Sequence, residues 1–168
     1  VFDRDLKRKL WVQFIYGSSV VEGVKLKPAD VEEIVKLGNK SKLLEGDLSV
    51  DLLQTLGQKY ALQAVEKLVK LKKPITVKLL QEIHYLVFER VDQKAGSFRD
   101  TYIKLRSSAL MPTFPFAIAA DMRDFNDWLV NEQKRIKKGD LVGILNLITR
   151  SYHSITRIHP FSDGNGRT

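Results

Sequence analysis

Nine consecutive residues, His159 to Arg167, bring together side chains suited to phosphoryl-group chemistry. His159 precedes Pro160, and a proline disfavours helical geometry at the residue before it, so His159 is expected where a helix stops. An imidazole there titrates near neutral pH and can act as a general base. Phe161 is apolar and would fix the loop to the core. Asp163 is a hard oxygen ligand, suited to Mg²⁺ carrying phosphates. Gly164 and Gly166 permit positive φ and leave backbone N–H groups uncovered. Successive N–H groups in such a turn, Asn165 among them, form a nest for anions. Arg167 adds a cationic fork for phosphate oxygens, and a helix starting beside it would add positive potential. Base, metal ligand, anion cradle and arginine are what catalysis by positioning and charge stabilisation requires. Asp-Gly and Asn-Gly are also common turn dipeptides, and Asp163-x-Asn165 opens like a calcium loop, but no loop of about twelve residues closes after it. A turn alone does not explain nine agreeing positions.

The elements that must hold this segment read as helix after helix. Val31, Ile34, Val35 and Leu37 suit a short amphipathic helix entered at Pro28 to Asp30. Leu48 to Leu71 keeps helical spacing through Leu52, Leu53, Leu56, Tyr60, Leu62, Val65, Leu68 and Val69. Lys72, Lys73 and Pro74 stop it. Thr76 can cap the next helix, carrying Val77, Leu80, Ile83, His84 and Val87. Ala120 to Ile136 is amphipathic, with Met122, Phe125, Trp128 and Leu129 on one side. Asp140 caps the most apolar helix, Leu141 to about Ile158, which delivers His159. Between Arg90 and Pro115 the period breaks. Gly96 to Arg99 is a turn signal, Tyr102 to Leu105 alternates like a short strand, and Leu110 to Pro115 is a second, irregular one. The expectation is a hairpin set on a helical body, with the Pro74 break as the one subdivision.

The chain of 168 residues suits one domain, and 43% hydrophobic with 29% charged residues is a globular composition. No apolar run approaches the ~18 residues of a membrane span, and no signal peptide is visible. With no cysteines, a disulfide framework and a thiolate zinc site are excluded, and a cytoplasmic location is expected. The net charge of +8 raises attraction to anions. Its sources, Lys67, Lys70, Lys72 and Lys73, and Lys134, Arg135, Lys137 and Lys138, are read as solvated helix ends, because no aromatics interleave with them as in single-strand binders. The start at Val1 and the stop at Thr168 lead us to expect part of a longer protein.

The segment from His159 through Arg167 resembles the signature of the Fic family, written His-x-Phe-x-Asp/Glu-Gly-Asn-Gly-Arg-x-x-Arg. Gly96-x-Phe98-Arg99 is similar to the turn before that family's flap, and the resemblance covers about residues 75 to 168. It implies an all-α helical bundle with a small β-hairpin flap: a single domain over 1–168, with N-terminal helices in 1–74 and the core in 75–168. It implies protein adenylyl transfer: His159 would take the proton from a Ser, Thr or Tyr hydroxyl of a target protein, which would attack the α-phosphate of ATP. Asp163 would hold Mg²⁺ on the phosphates. Gly164, Asn165 and Gly166 would line the cradle, and Arg167 would contact the outer phosphates. Leu105, Arg106, Ser107, Ser108, Ala109, Leu110 and Met111 would belong to the flap that pairs with the target segment, with Arg99 bracing it. The family's final arginine would fall three residues after Arg167, past Thr168, so the chain would be truncated at that end of the domain and lack that phosphate ligand. A homodimer is within what the family allows.

Ser18 and Glu22 are four apart and share a face if helical, and Gly23 can end that helix. Alone this is a weak pattern of common residues. Beside the signature, residues 18 to 23 resemble the family's inhibitory motif, Ser/Thr-x-x-x-Glu-Gly/Asn, placed before the core as in the self-inhibited group. Glu22 would then pair with the final arginine and stand where the γ-phosphate goes. His84 and His153 are expected in structural hydrogen bonds, and Trp11 and Trp128 in packing. The competing readings are a Fic enzyme with another nucleotide donor or one that removes AMP, and a non-catalytic helical module binding nucleic acid. His159 and Asp163 weigh against the last, since anion binding needs neither, and nucleic acid is not an expected partner.

Overall fold

The computed structural model describes residues 3–45, 49–104 and 111–168. Six α-helices account for most of them: α1 Arg4–Val21, α2 Pro28–Leu37, α3 Val50–Lys70, α4 Val77–Phe88, α5 Pro115–Arg135 and α6 Leu141–Ile158. Two short 3₁₀ turns, Gly38–Lys40 and Lys42–Leu44, join α2 towards α3. None of the described helices is long and apolar enough to cross a membrane.

The helix starts follow side-chain chemistry. Ser49, Thr76 and Asp140 accept hydrogen bonds from Leu52, Leu79 and Gly143 N–H groups, so each satisfies a donor that the first turn leaves open. Pro28 and Pro115 sit at the first turns of α2 and α5, where a missing N–H costs nothing. Helix α1 ends in a paired stop: Gly23, at φ +83°, donates to the Val20 carbonyl and Val24 to the Ser19 carbonyl.

One core joins Val77 and Leu80 of α4, Ile118, Met122, Phe125 and Leu129 of α5, and Ile158 at the end of α6. A second, of Ile15, Val31 and Val35, fastens α1 to α2. Helices α3 and α4 flank the Pro74 break in sequence yet pack face to face. They meet at Gly57, where an added Cβ would lie 2.4 Å from the Val87 carbonyl oxygen. Helix α6, expected to be the most apolar, is less apolar than α4; it fully buries Ile158 alone and leaves Leu141, Val142, Leu145, Ile148 and Tyr152 exposed.

The expected hairpin is not seen among the described residues. Residues 102–104 and 111–114 form no strand, and 105–110 lie outside the described residues. The carbonyls that flank the segment, Thr101 and Thr113, do not pair with backbone N–H groups of a ladder. Both accept hydrogen bonds from the Arg99 guanidinium, at 2.7 and 2.6 Å. Helix α5 also begins at Pro115, five residues before the expected Ala120, because a proline that ends an extended stretch equally well opens a helix.

Candidate active site

Helix α6 stops at Ile158, and His159 turns left-handed at φ 52° and ψ 60°. A non-glycine residue held there costs about 1–2 kcal/mol, so the surroundings must hold it. The His159 N–H returns to the Ile155 carbonyl at 2.7 Å. The ring Nδ1 lies 3.3 Å from the Thr156 carbonyl oxygen. A carbonyl can only accept, so Nδ1 carries the proton and Nε2 keeps its lone pair. That is the form a general base needs. Burial, with the nearby Arg99 charge, pushes the His159 pKa below its ordinary value, while the Thr156 carbonyl and the charges of Glu22 and Asp163 push back. The neutral imidazole is thereby favoured near neutral pH.

The loop after His159 is closed by its own side chains. The Asn165 Nδ2 donates to the Phe161 carbonyl at 2.8 Å and its Oδ1 accepts from the Phe161 N–H at 2.9 Å. Asn165 therefore turns inward and braces the loop; only its backbone remains for a cradle. Phe161 is buried, as expected, and stacks on the His84 ring, which stacks in turn on Phe88. His84 is 2% exposed and its tautomer is fixed from both sides. Nδ1 accepts from the Gly96 N–H at 2.8 Å, so Nε2 donates to the Asp163 carbonyl at 3.0 Å. This is the structural role expected of it. His153, by contrast, stands exposed on α6, and its ring makes no hydrogen bond among the described residues.

Gly164 sits at φ +74°, and an added Cβ would lie 2.2 Å from the Phe88 ring. No other residue fits there. Asp163 accepts at Oδ1 from the Gly164 N–H at 2.7 Å and at Oδ2 from Arg167 at 2.8 Å, with its side chain 59% exposed. No cluster of three or more metal-ligating side chains occurs among the described residues. One accessible carboxylate suits Mg²⁺, which keeps waters and takes its remaining ligands from phosphates, so the donor set fits a metal that arrives with a nucleotide. Arg167 lies deeper than expected, 7% exposed. It bridges Asp163 and Gln54, donating to the latter at 2.6 Å, over the Phe88 ring, and its Nε is buried without a partner.

Helix α1 reaches this loop. A Cβ on Gly166 would lie 2.7 Å from Glu22 Oε1, so the carboxylate stands directly against the glycine turn. Ser18 does not face the loop. Its hydroxyl lies 2.9 Å from Gln58 Oε1 on α3, and Gln58 Nε2 donates to Ser19 at 3.0 Å. Sequence reading missed Gln54 and Gln58. Their signal was two glutamines, four apart, interrupting the apolar stripe of α3. Of the expected flap residues only Met111 is described, and it is exposed.

The Fic/DOC family model matches residues 74–168. The chain is 28% identical over 166 residues to "Protein adenylyltransferase Fic" of Drosophila grimshawi, across 98% of this chain and 32% of that protein. It is 28% identical over 163 residues to the protein of the same name from Nematostella vectensis, across 96% of this chain and 36% of that one. The chain thus spans about a third of the length of the curated relatives it matches. Among solved structures it resembles a Fic domain containing signaling protein from Bacteroides thetaiotaomicron, with TM-score 0.77 and 21% identity over 99% of this chain and 63% of that one. It also resembles Fic-1 from C. elegans, with TM-score 0.75 and 21% identity over 99% of this chain and 48% of that one.

Proposed function

Because the chain belongs to the Fic/DOC family, we propose that it is the catalytic domain of a protein adenylyltransferase, moving AMP from ATP onto a Ser, Thr or Tyr hydroxyl of a target protein. The observation that carries this reading is the state of His159: Nδ1 lies against the Thr156 carbonyl, which leaves the lone pair on Nε2 to accept a proton. His159 removes the hydroxyl proton as the oxygen bonds to the α-phosphorus. The bond from that phosphorus to the bridging oxygen of the β-phosphate breaks, and pyrophosphate leaves. Gly164 lets the turn pack on Phe88, and Gly166 keeps it bare on the side of Glu22 so that backbone N–H groups can meet phosphate oxygens. Asp163 is the residue to hold Mg²⁺, which when bound neutralises phosphate charge. Arg167 is already paired with Asp163 and Gln54, so its first task is to order the loop; contact with outer phosphates would require it to exchange a partner.

Glu22 is a built-in brake in this reading. Its carboxylate lies against Gly166, where a triphosphate would meet like charge. The test uses the protein with Glu22→Gly, with and without His159→Ala, given Mg²⁺ and ATP labelled at the α- or the γ-phosphate. Label from the α-position on protein, raised by Glu22→Gly and lost with His159→Ala, is expected. Label from the γ-position would mean phosphorylation. No transfer from ATP, UTP, GTP or CTP would leave AMP removal or a non-catalytic role as the better account.

A further inference from the structure

We propose that Arg99 is a positioning residue for His159: its guanidinium holds the histidine backbone in the left-handed turn and thereby aims the imidazole. The inference rests on the reading of His159 as the base and adds a residue to it.

The end of α6 lacks a donor. A helix that stops on a left-handed residue normally completes the stop with backbone N–H groups from the residues that follow. Here the following residue is Pro160, which has none. The His159 N–H makes the one bond available, to Ile155, and the carbonyls of Ile158, His159 and Pro160 at the helix end need other donors. Arg99 supplies them. Its Nε donates to the His159 carbonyl at 2.7 Å, one terminal nitrogen lies 3.4 Å from the Ile158 carbonyl, and its backbone N–H donates to the Pro160 carbonyl at 2.8 Å. Three successive carbonyls are thus held by one residue, 3% exposed, at the negative end of a helix where a cation is favoured.

The other side of the fork is anchored as firmly. The terminal nitrogens donate to the Thr101 and Thr113 carbonyls, and the Thr113 hydroxyl donates to Asp121 of α5 at 2.7 Å. The guanidinium therefore ties the end of α6 to α5 through a planar group with fixed donor directions. A lysine would keep the charge but could not reproduce the fork. The ring of His159 is tied to the same turn: with the backbone at φ 52°, Nδ1 lies 3.3 Å from the Thr156 carbonyl, so a change in the turn moves the ring relative to that acceptor.

The test reads both ring and reaction in the protein carrying Glu22→Gly. Arg99→Lys and Arg99→Gln are compared with the parent by thermal melting, to confirm folding, and by ¹⁵N NMR of the His159 ring, which reports the tautomer without any reaction. The expected result is loss of the single Nδ1–H tautomer in both folded variants. The turnover number for AMP transfer should fall about 10²-fold, the scale of an approximately 1 Å misplacement, with the KM for ATP unchanged. Arg99→Lys should retain more of both than Arg99→Gln. An unchanged ring tautomer and turnover in a folded variant, with only the melting temperature lowered, would overturn the proposal and leave Arg99 as a structural brace. The failure of AMP transfer itself is distinguishable: it would appear in the Glu22→Gly parent, while the ring spectrum still decides whether Arg99 sets the histidine.

Discussion

Gly164 shows how little freedom the loop has at the scale of one residue. Gly164→Ala would place a methyl group against the Phe88 ring at positive φ, and a loss of at least about 2 kcal/mol is expected in urea unfolding. At His159 the expected outcome is a pH profile. In the Glu22→Gly protein the rate of transfer should rise with pH through a value below the ordinary imidazole range, since burial lowers this group, and level off above it. Removing the Glu22 charge takes away an influence that raises the pKa, so Glu22→Gly should show a lower inflection than any residual activity with Glu22 intact. The placements of His159 at the helix stop, Phe161 in the core and Gly164 at positive φ were legible in the sequence because each rests on what the residue types alone dictate. Those of Arg167 and Asn165 were less so. An arginine reads as a phosphate ligand and an asparagine as part of a cradle, whereas partners distant in sequence, or four residues back in the loop, turn both inward.

Among the elements, α2, α3, α4 and α6 were readable from apolar spacing, and α2, α4 and α6 also from Pro28, Thr76 and Asp140 at their starts, whereas the Ser49 cap of α3 went unread. Helix α1 was legible only at its end, where Glu22 and Gly23 stop it, because several of its apolar residues, Leu6, Leu10 and Phe14, stay exposed and mark no single buried stripe. The hairpin was the expectation that the described residues do not bear out, since alternation cannot reveal that a buried arginine will claim the flanking carbonyls. Helix α1 is tied to α3 through Gln58. If Glu22 is the brake, Gln58→Ala should loosen it. Automodification with labelled ATP is expected to rise above that of the unaltered protein but to stay below that of Glu22→Gly. Equal labelling in Gln58→Ala and the unaltered protein would separate the tether from the inhibition.

For the molecule as a whole, the two loop-facing histidines link stability to acidity. Burial is the largest influence that lowers the pKa of His84 and of His159. The folded protein therefore binds fewer protons than the unfolded chain in the window between the lowered values and the ordinary 6.5. Stability should rise with pH through that window and be lost as the pH falls through it. For His84 the cause is direct: a proton on Nδ1 would displace the Gly96 N–H. Urea unfolding at about pH 5 and about pH 7.5 should show the difference, and His84→Gln should flatten it. One feature of α3 reaches further. Gln54 grips the arginine of the loop, and Gln58, a turn away on the same helix, grips α1. A rigid helix thus works as a gauge block: its two grips stand about 6 Å apart along its axis, and that fixed separation sets how the carboxylate meets the loop. If Glu22 is the brake, peeling α1 off Gln58 would free the loop while α3 keeps its own grip on Arg167.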